Sequence, residues 1–266
     1  MNIEFQPIKT FNKECKKEIL NQGNDLELSQ ISKKWLDQSS KHKYSYHFSW
    51  LGRPIIQLPQ DILALQEIIW STKPDIIVET GIAHGGSLCF SASMLALLDI
   101  ESSKTGSHLA NTPNLKRKVI GVDIDIREHN RKAVEDHPFS NNITMLEGSS
   151  IDRSIFERIS ELIPTGSKVL VILDSNHSKK HVLEECRSYS KIVSKHCYLV
   201  VADTILGYFN KKQTPKKRSH IWYKGNEPYS AVKEFLKINK NFKIDEKLNG
   251  KLIFSSSFNG YLRRLN

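Results

Sequence analysis

The chain has 266 residues, 39% of them hydrophobic, with a formal net charge of +10 and a pI near 9.3. That length holds one large α/β domain with appendages and barely two independent domains. Its longest apolar runs, such as Val169 to Leu173, are strand-length and exclude a membrane-spanning helix. The positive balance points to an anionic partner such as a phosphorylated sugar, a nucleic acid or a membrane surface, although plain lysine solvation explains it more simply.

The first residues, Met1-Asn2-Ile3-Glu4-Phe5, lack a basic start followed by an apolar core, so a cytoplasmic protein is expected. Residues 1 to about 50 show no strand-like alternation; Glu14 to Leu20 and Leu26 to Leu36 read as short amphipathic helices of an extension or lid. Trp50-Leu51-Gly52-Arg53-Pro54 is turn-rich, and Asp61 is expected to cap a helix from Ile62 to Ser71 that Pro74 stops.

From there short apolar runs alternate with amphipathic stretches, as in a parallel sheet covered by helices. Strands are expected at Asp75 to Glu79, Lys118 to Val122, Ile143 to Glu147, Lys168 to Leu173 and Cys197 to Ala202. Helices fall between them at Ser87 to Leu98, Arg127 to Asp136, Ser154 to Leu162 and His181 to Ser194, and a further one at Tyr229 to Lys237. Glu101 to Leu115 reads as a surface insertion, and Phe242 to Ile244 with Leu252 to Ser255 as a closing antiparallel pair. Residues 1–60 therefore form a helical extension and residues 61–266 the α/β domain. Cys15, Cys89, Cys186 and Cys197 include no CxxC pair, so free thiols are expected rather than a zinc site or disulfides.

The first domain strand runs into Glu79-Thr80-Gly81-Ile82-Ala83-His84-Gly85-Gly86-Ser87, a glycine-rich turn that opens a helix. Such a turn lets backbone NH groups and a close main chain receive a nucleotide-type ligand. Its spacing is not the G-x-G-x-x-G that neutralises a pyrophosphate, which favours S-adenosylmethionine over NAD. Asp123 ends the second strand, placed to accept hydrogen bonds from both ribose hydroxyls. Ser149 and Ser150 follow the third strand, where the adenine would lie. Asp174 and Asp203 end the fourth and fifth strands and can converge on a hard divalent cation. His177 is the candidate general base, since its ordinary pKa lies near operating pH. Lys211, Lys212, Lys216, Lys217, Arg218 and Lys224 lie between Phe209 and Gly225 with no acid among them.

With these motifs placed, the sequence resembles the cephalosporin hydroxylase family, which despite its name looks like S-adenosylmethionine-dependent methyltransferases related to rhamnosyl and macrolide-sugar O-methyltransferases. The carriers, over roughly residues 45 to 260, are Trp50-Leu51-Gly52 with Gln57, Pro59 and Asp61, Lys73-Pro74, the glycine turn and Gly121-Val122-Asp123-Ile124. Leu173-Asp174-Ser175-Asn176-His177, Ala202-Asp203-Thr204 and Pro228-Tyr229 with Ala231-Val232 complete them. The resemblance implies a Rossmann-like methyltransferase fold, α/β, with a mostly parallel sheet, helices on both faces and an N-terminal helical extension. It implies that Glu79, Gly81, Ala83, Gly85 and Ser87 surround the methionine end of the cofactor, Asp123 the ribose, and Ser149 and Ser150 the adenine. Asp174 would hold Mg2+ with acids of the fifth strand, and His177 would be the base. The chain departs from that pattern: a family Glu is Ala202, leaving Asp203, and a second acid is Asn176, which weakens a magnesium site.

The expected activity is methyl transfer to a hydroxyl of a sugar, glycoside or related small molecule, with the methyl aligned to the acceptor oxygen. The segment from Lys211 to Lys224, with Trp222 and Tyr223, would wall the acceptor, and a sugar carried on a phosphate would explain the positive charge. Family members commonly associate, which implies a homo-oligomer. Nucleic-acid methylation is the first alternative, favoured by the pI; against it, no Asn-Pro-Pro-aromatic tetrad and no spare recognition domain are present. A nicotinamide oxidoreductase is disfavoured by the glycine spacing. A degenerate protein that binds the cofactor without turnover stays open on Asn176 and Ala202.

Overall fold

The computed structural model describes residues 6–103, 116–209 and 222–266. Two helices lead, α1 (Gln6–Gly23) and α2 (Leu26–Lys41), both longer than the pattern suggested. Asp25 separates them because its side chain accepts from the Leu28 N–H at 2.8 Å and starts α2. The turn-rich stretch that follows is a hairpin, β1 (Phe48–Trp50) and β2 (Arg53–Ile55). Its two central residues, Leu51 and Gly52, both have positive φ, the conformation that matches a two-residue turn to strand twist. Helix α3 (Pro59–Thr72) begins at Pro59 rather than Ile62, with Leu58 as its N-cap. Asp61 therefore sits inside the first turn and caps nothing; its carboxylate is turned to other partners.

The central sheet contains β3 (Ile76–Thr80), β4 (Lys118–Asp123), β5 (Ile143–Glu147), β6 (Val169–Leu173), β7 (Tyr198–Val201), β8 (Phe242–Ile244) and β9 (Tyr261–Arg264). Their order is β5-β4-β3-β6-β7-β9-β8. The first five are parallel, and β9 enters antiparallel between β7 and β8. Every residue of β3 and β6 is buried, which is why β6 reads as an unbroken apolar run and β3 as one up to Val78, rather than alternating. The chain moves outward through α4 (Gly86–Ser103) and α5 (Glu128–Glu135), then returns through α6 (Arg153–Glu161) to lay β6 beside β3. Helix α7 (Lys179–Tyr189) carries it the other way to β7. The winding thus reverses between β3 and β6, and in such sheets a crevice opens there at the carboxyl edge.

Helix α8 (Pro228–Ile238) precedes β8. The expected closing pair is half right: β8 is a strand, but its partner is β9 rather than Leu252 to Ser255. Asp245 accepts from the Leu248 N–H at 3.0 Å and starts α9 (Glu246–Leu252), so a local cap overrides the apolar run. Helix α1 packs on α9, where a Cβ on Gly23 would stand 2.9 Å from the α-carbon of Gly250. Helix α4 is buried on nearly every side between sheet and hairpin, and the Trp50 indole donates to Ser93 Oγ at 3.0 Å while meeting Phe90 edge-on. The expected insertion overlaps the end of α4, and residues 104–115 lie outside the described ones. All four cysteines are free, and among the described residues no helix is long and apolar enough to cross a membrane.

Candidate active site

The glycine turn is pinned from three sides. Gly81 donates its N–H to Val122 O at 2.7 Å, joining the turn to β4. Asp123 Oδ2 accepts from the N–H groups of Ile82 at 2.8 Å and Ala83 at 3.2 Å, so this carboxylate shapes the turn as well as facing the crevice. Arg53 on β2 donates through Nε and Nη2 to His84 O at 3.0 and 2.6 Å, and through Nη2 to Asn130 Oδ1 at 3.2 Å. Asn130 Nδ2 completes the brace by donating to Ala83 O at 2.9 Å. Neither Arg53 nor Asn130 was among the expected site residues, because no local spacing links a hairpin and α5 to the turn.

The crevice at the reversal has a volume of about 1310 Å³. Gly81, Ala83 and Asp123 line one side, Ser149 and Ser150 lie beyond β5, and Asp174, His177 and Asp203 face them. Glu79, Gly85 and Ser87 are behind this surface. Glu79 is 1% exposed, and burial pushes its carboxyl up to about 7, offset only in part by Ser87 and Ser91 beside it. The N-terminal segment reaches the same space, supplying Leu36, Ser39, Lys43 and Tyr44 to its wall. Lys211, Lys212, Lys216, Lys217 and Arg218 of the basic cluster lie outside the described residues, whereas Trp222 lines the crevice and Lys224 is exposed.

Across from the turn, β6 delivers Asp174 and the sharp bend after β7 delivers Asp203, whose φ of 53° is left-handed, a conformation Asp tolerates better than most residues. His177 Nε2 lies 3.2 Å from Asp203 Oδ2, and the Trp222 ring packs edge-on against the imidazole at 4.8 Å between centroids. His177 does not cap α7, since the N-cap is Ser178. Asn176 Oδ1 accepts from the Ser178 N–H at 2.8 Å, a local turn bond. Asp174, His177 and Asp203 each bring one ligand atom within 4.8 Å of the others. The Asp174 carboxyl is pushed well up by burial and by Asp203, Glu79, Glu185 and Asp61. Asp61, also on this surface, accepts from Tyr261 Oη at 3.0 Å and from the N–H and Oγ of Ser256 at 2.9 and 2.6 Å. Several carboxyls crowded into one partly desolvated space hold their protons more tightly than free acids do.

A reversed parallel sheet, a glycine turn without dinucleotide spacing, an acid on the next strand and an acid-lined crevice make up an S-adenosylmethionine-dependent methyltransferase. More narrowly, the chain belongs to the Rhamnosyl O-methyltransferase/CmcI family, whose model matches residues 42–265. Rhamnosyl O-methyltransferase of Mycobacterium leprae (strain TN) is 26% identical over 218 residues, 81% of this chain and 82% of that protein. Its counterpart in Mycobacterium bovis (strain BCG / Pasteur 1173P2) is 27% identical over 206 residues, 77% of this chain and 73% of that protein. Among solved structures, "cmcI-D160 Mg-SAM" superposes with a TM-score of 0.53 at 18% identity, covering 83% of this chain and 78% of that one. At that identity the likeness speaks for the fold alone. Family membership does not favour the nucleic-acid alternative.

Proposed function

We propose that this chain transfers the methyl group of S-adenosylmethionine to a hydroxyl of a sugar or glycoside, with His177 as general base. The observation that carries the reading is the His177–Asp203 contact at 3.2 Å, across the crevice from the glycine turn and Asp123. The acceptor oxygen attacks the sulfonium methyl, the carbon–sulfur bond breaks to leave S-adenosylhomocysteine, and the hydroxyl proton passes to His177. Asp203 is placed to compensate the charge that the ring acquires, as the acid does in a nucleophile–His–Asp array. Gly81, Ala83 and Asp123 hold the cofactor so that its methyl and the acceptor oxygen meet in line. Ser149 and Ser150 lie on the adenine side. Glu79, Gly85 and Ser87 act from behind by setting the shape and charge of the turn.

Magnesium fits this donor set in reduced form: Asp174 and Asp203 would hold it, while Ala202 offers no acid and Asn176 spends its oxygen on the backbone. A bound ion would supply positive charge to the acceptor oxygen as its proton leaves. Residues 1–60 act as an extension that closes the acceptor side through α2, and the relatives' names make rhamnosyl groups the first acceptors to try.

Calorimetric titration of S-adenosylhomocysteine, with and without magnesium, tests the reading. Absence of binding in both conditions sinks it. His177→Ala is expected to keep that affinity and lose labelled methyl transfer to a panel of rhamnosides and nucleotide-linked sugars; equal activity removes the base. Tight binding by the wild type with no transfer to any acceptor supports a binding protein instead.

A further inference from the structure

We infer that His181 and Glu185 turn the hydroxyls of Ser150 and Ser175 into a receptor for a ring amino group, making the crevice selective for an adenosyl over an inosyl ligand. This rests on the S-adenosyl reading above. Glu185, on α7, has no exposed side-chain surface, and its Oε1 accepts from both Ser150 Oγ and Ser175 Oγ at 2.6 Å. Both bonds run from a hydroxyl to the one oxygen Oε1, so both hydroxyl hydrogens point inward to Glu185. One helical turn earlier, His181 Nε2 lies 2.9 Å from Ser150 Oγ and 3.3 Å from Ser175 Oγ. With the hydroxyl hydrogens spent, this ring nitrogen is the donor, which fixes the tautomer.

Each hydroxyl oxygen has two lone pairs, and His181 takes at most one from each. Ser150, Ser175 and His181 line the crevice, so what the serines offer a ligand is acceptor capacity alone, on oxygens 3.5 Å apart. An exocyclic –NH2 carries two hydrogens and satisfies both. The carbonyl oxygen of hypoxanthine would instead bring lone pairs against lone pairs and leave three acceptors unpaired, the kind of mismatch that polar sites reject strongly. Ile124, next to Asp123 and 73% exposed on the same surface, offers the apolar face a purine ring needs. Tyr189 fixes the backbone beneath by donating to Ser150 O at 2.9 Å. The arrangement is not a hydrolytic triad: Glu185 faces the same ring nitrogen as Ser150, at 3.6 Å, and so cannot orient the imidazole from behind.

His181 and Glu185 act through the serines and are positioning residues. Calorimetric titration of the whole protein with S-adenosylhomocysteine and S-inosylhomocysteine reads their effect as a ratio of affinities, which a merely structural role would leave unchanged. The wild type is expected to prefer the adenosyl ligand about tenfold to a hundredfold, the worth of one or two buried hydrogen bonds. Glu185→Leu removes the shared acceptor and frees the serine hydrogens toward the ligand, so the preference collapses mainly by gain of inosyl affinity. Ser175→Ala, at the crevice surface, collapses it by loss of adenosyl affinity, and a thermal unfolding curve checks that the fold survives loss of one donor to Glu185. Binding of S-adenosylhomocysteine without discrimination, or full discrimination in Ser175→Ala, overturns the inference alone. Failure of the wild type to bind either ligand overturns the cofactor reading and the inference with it.

Discussion

A Cβ on Gly81 would stand 2.0 Å from the carbonyl oxygen of Asp174. The glycine turn and the acidic wall therefore touch backbone to backbone, and neither can retreat, because Asp174 also donates its N–H to Thr80 O at 2.9 Å. Gly81 adds a φ of +90°, where a side chain is strained regardless of space. Gly81→Ala is expected to lower Tm and to weaken S-adenosylhomocysteine binding more than tenfold. Gly52→Ala is the control: its φ is +84° but nothing lies within 4 Å, so it loses only the backbone penalty of about 1 kcal/mol. Equal losses in thermal unfolding would mean that close approach is not what Gly81 provides.

Burial raises the carboxyls of Asp61, Glu79 and Asp174, and for Glu79 the value reaches about 7 from 4.5. The folded state holds these protons more tightly than the unfolded chain. Their contribution to stability is therefore complete below the unfolded value and lost as pH rises through the folded one. For Glu79 the window runs from about 4.5 to just above 7, and the shift corresponds to roughly 3 kcal/mol. Glu79→Gln cannot ionise, so it should match the wild type near pH 4.5 and exceed it near pH 8. A stability difference between the two that does not change with pH would show that Glu79 stays charged in the fold.

Much of this site is local chemistry and was legible as such. Strand β3, the glycine turn and Asp123 are contiguous or one crossover apart, and hydrophobic runs with turn residues at their ends mark them. The braces were not legible, because Arg53 with His84 and Asp61 with Tyr261 are contacts between distant segments that no spacing announces. His181 and Glu185 do stand four apart on one helix, yet only packing decides that this face is turned inward. The closing strand failed for a different reason. Leu252 to Ser255 has a strand's apolarity, but the Asp245 cap settles the preceding residues as helix and leaves the pairing to Tyr261–Arg264.

The Asp61–Tyr261 contact makes its own prediction. Tyr261 is fully buried and donates to Asp61 Oδ1 at 3.0 Å, linking the start of α3 to the strand between β7 and β8. Tyr261→Phe keeps the ring and its packing while leaving a buried carboxyl oxygen short of a donor, at an expected cost of about 1–3 kcal/mol. Denaturant midpoints measure it, and the slope should not change. Asp61→Asn in the same background tests the cause, since an amide tolerates the missing donor better than a carboxylate and should recover part of the loss.

Arg53 offers the sharpest separation between shaping the turn and doing chemistry. Its guanidinium spans two acceptors, His84 O and Asn130 Oδ1, a fork that a lysine ammonium cannot reproduce. It is not among the crevice-lining residues. Arg53→Ala is expected to raise the dissociation constant of S-adenosylhomocysteine about tenfold, the worth of one charge-assisted hydrogen bond. The KM for the cofactor should rise with it while kcat changes little, because His177 and the acceptor wall are untouched. Arg53→Lys should recover a fraction, since one ammonium can still reach His84 O. If Arg53→Ala binds the cofactor as tightly as the wild type, the two bonds from Ile82 and Ala83 to Asp123 suffice to hold the turn, and Asp123→Asn should then cost both the turn and the cofactor.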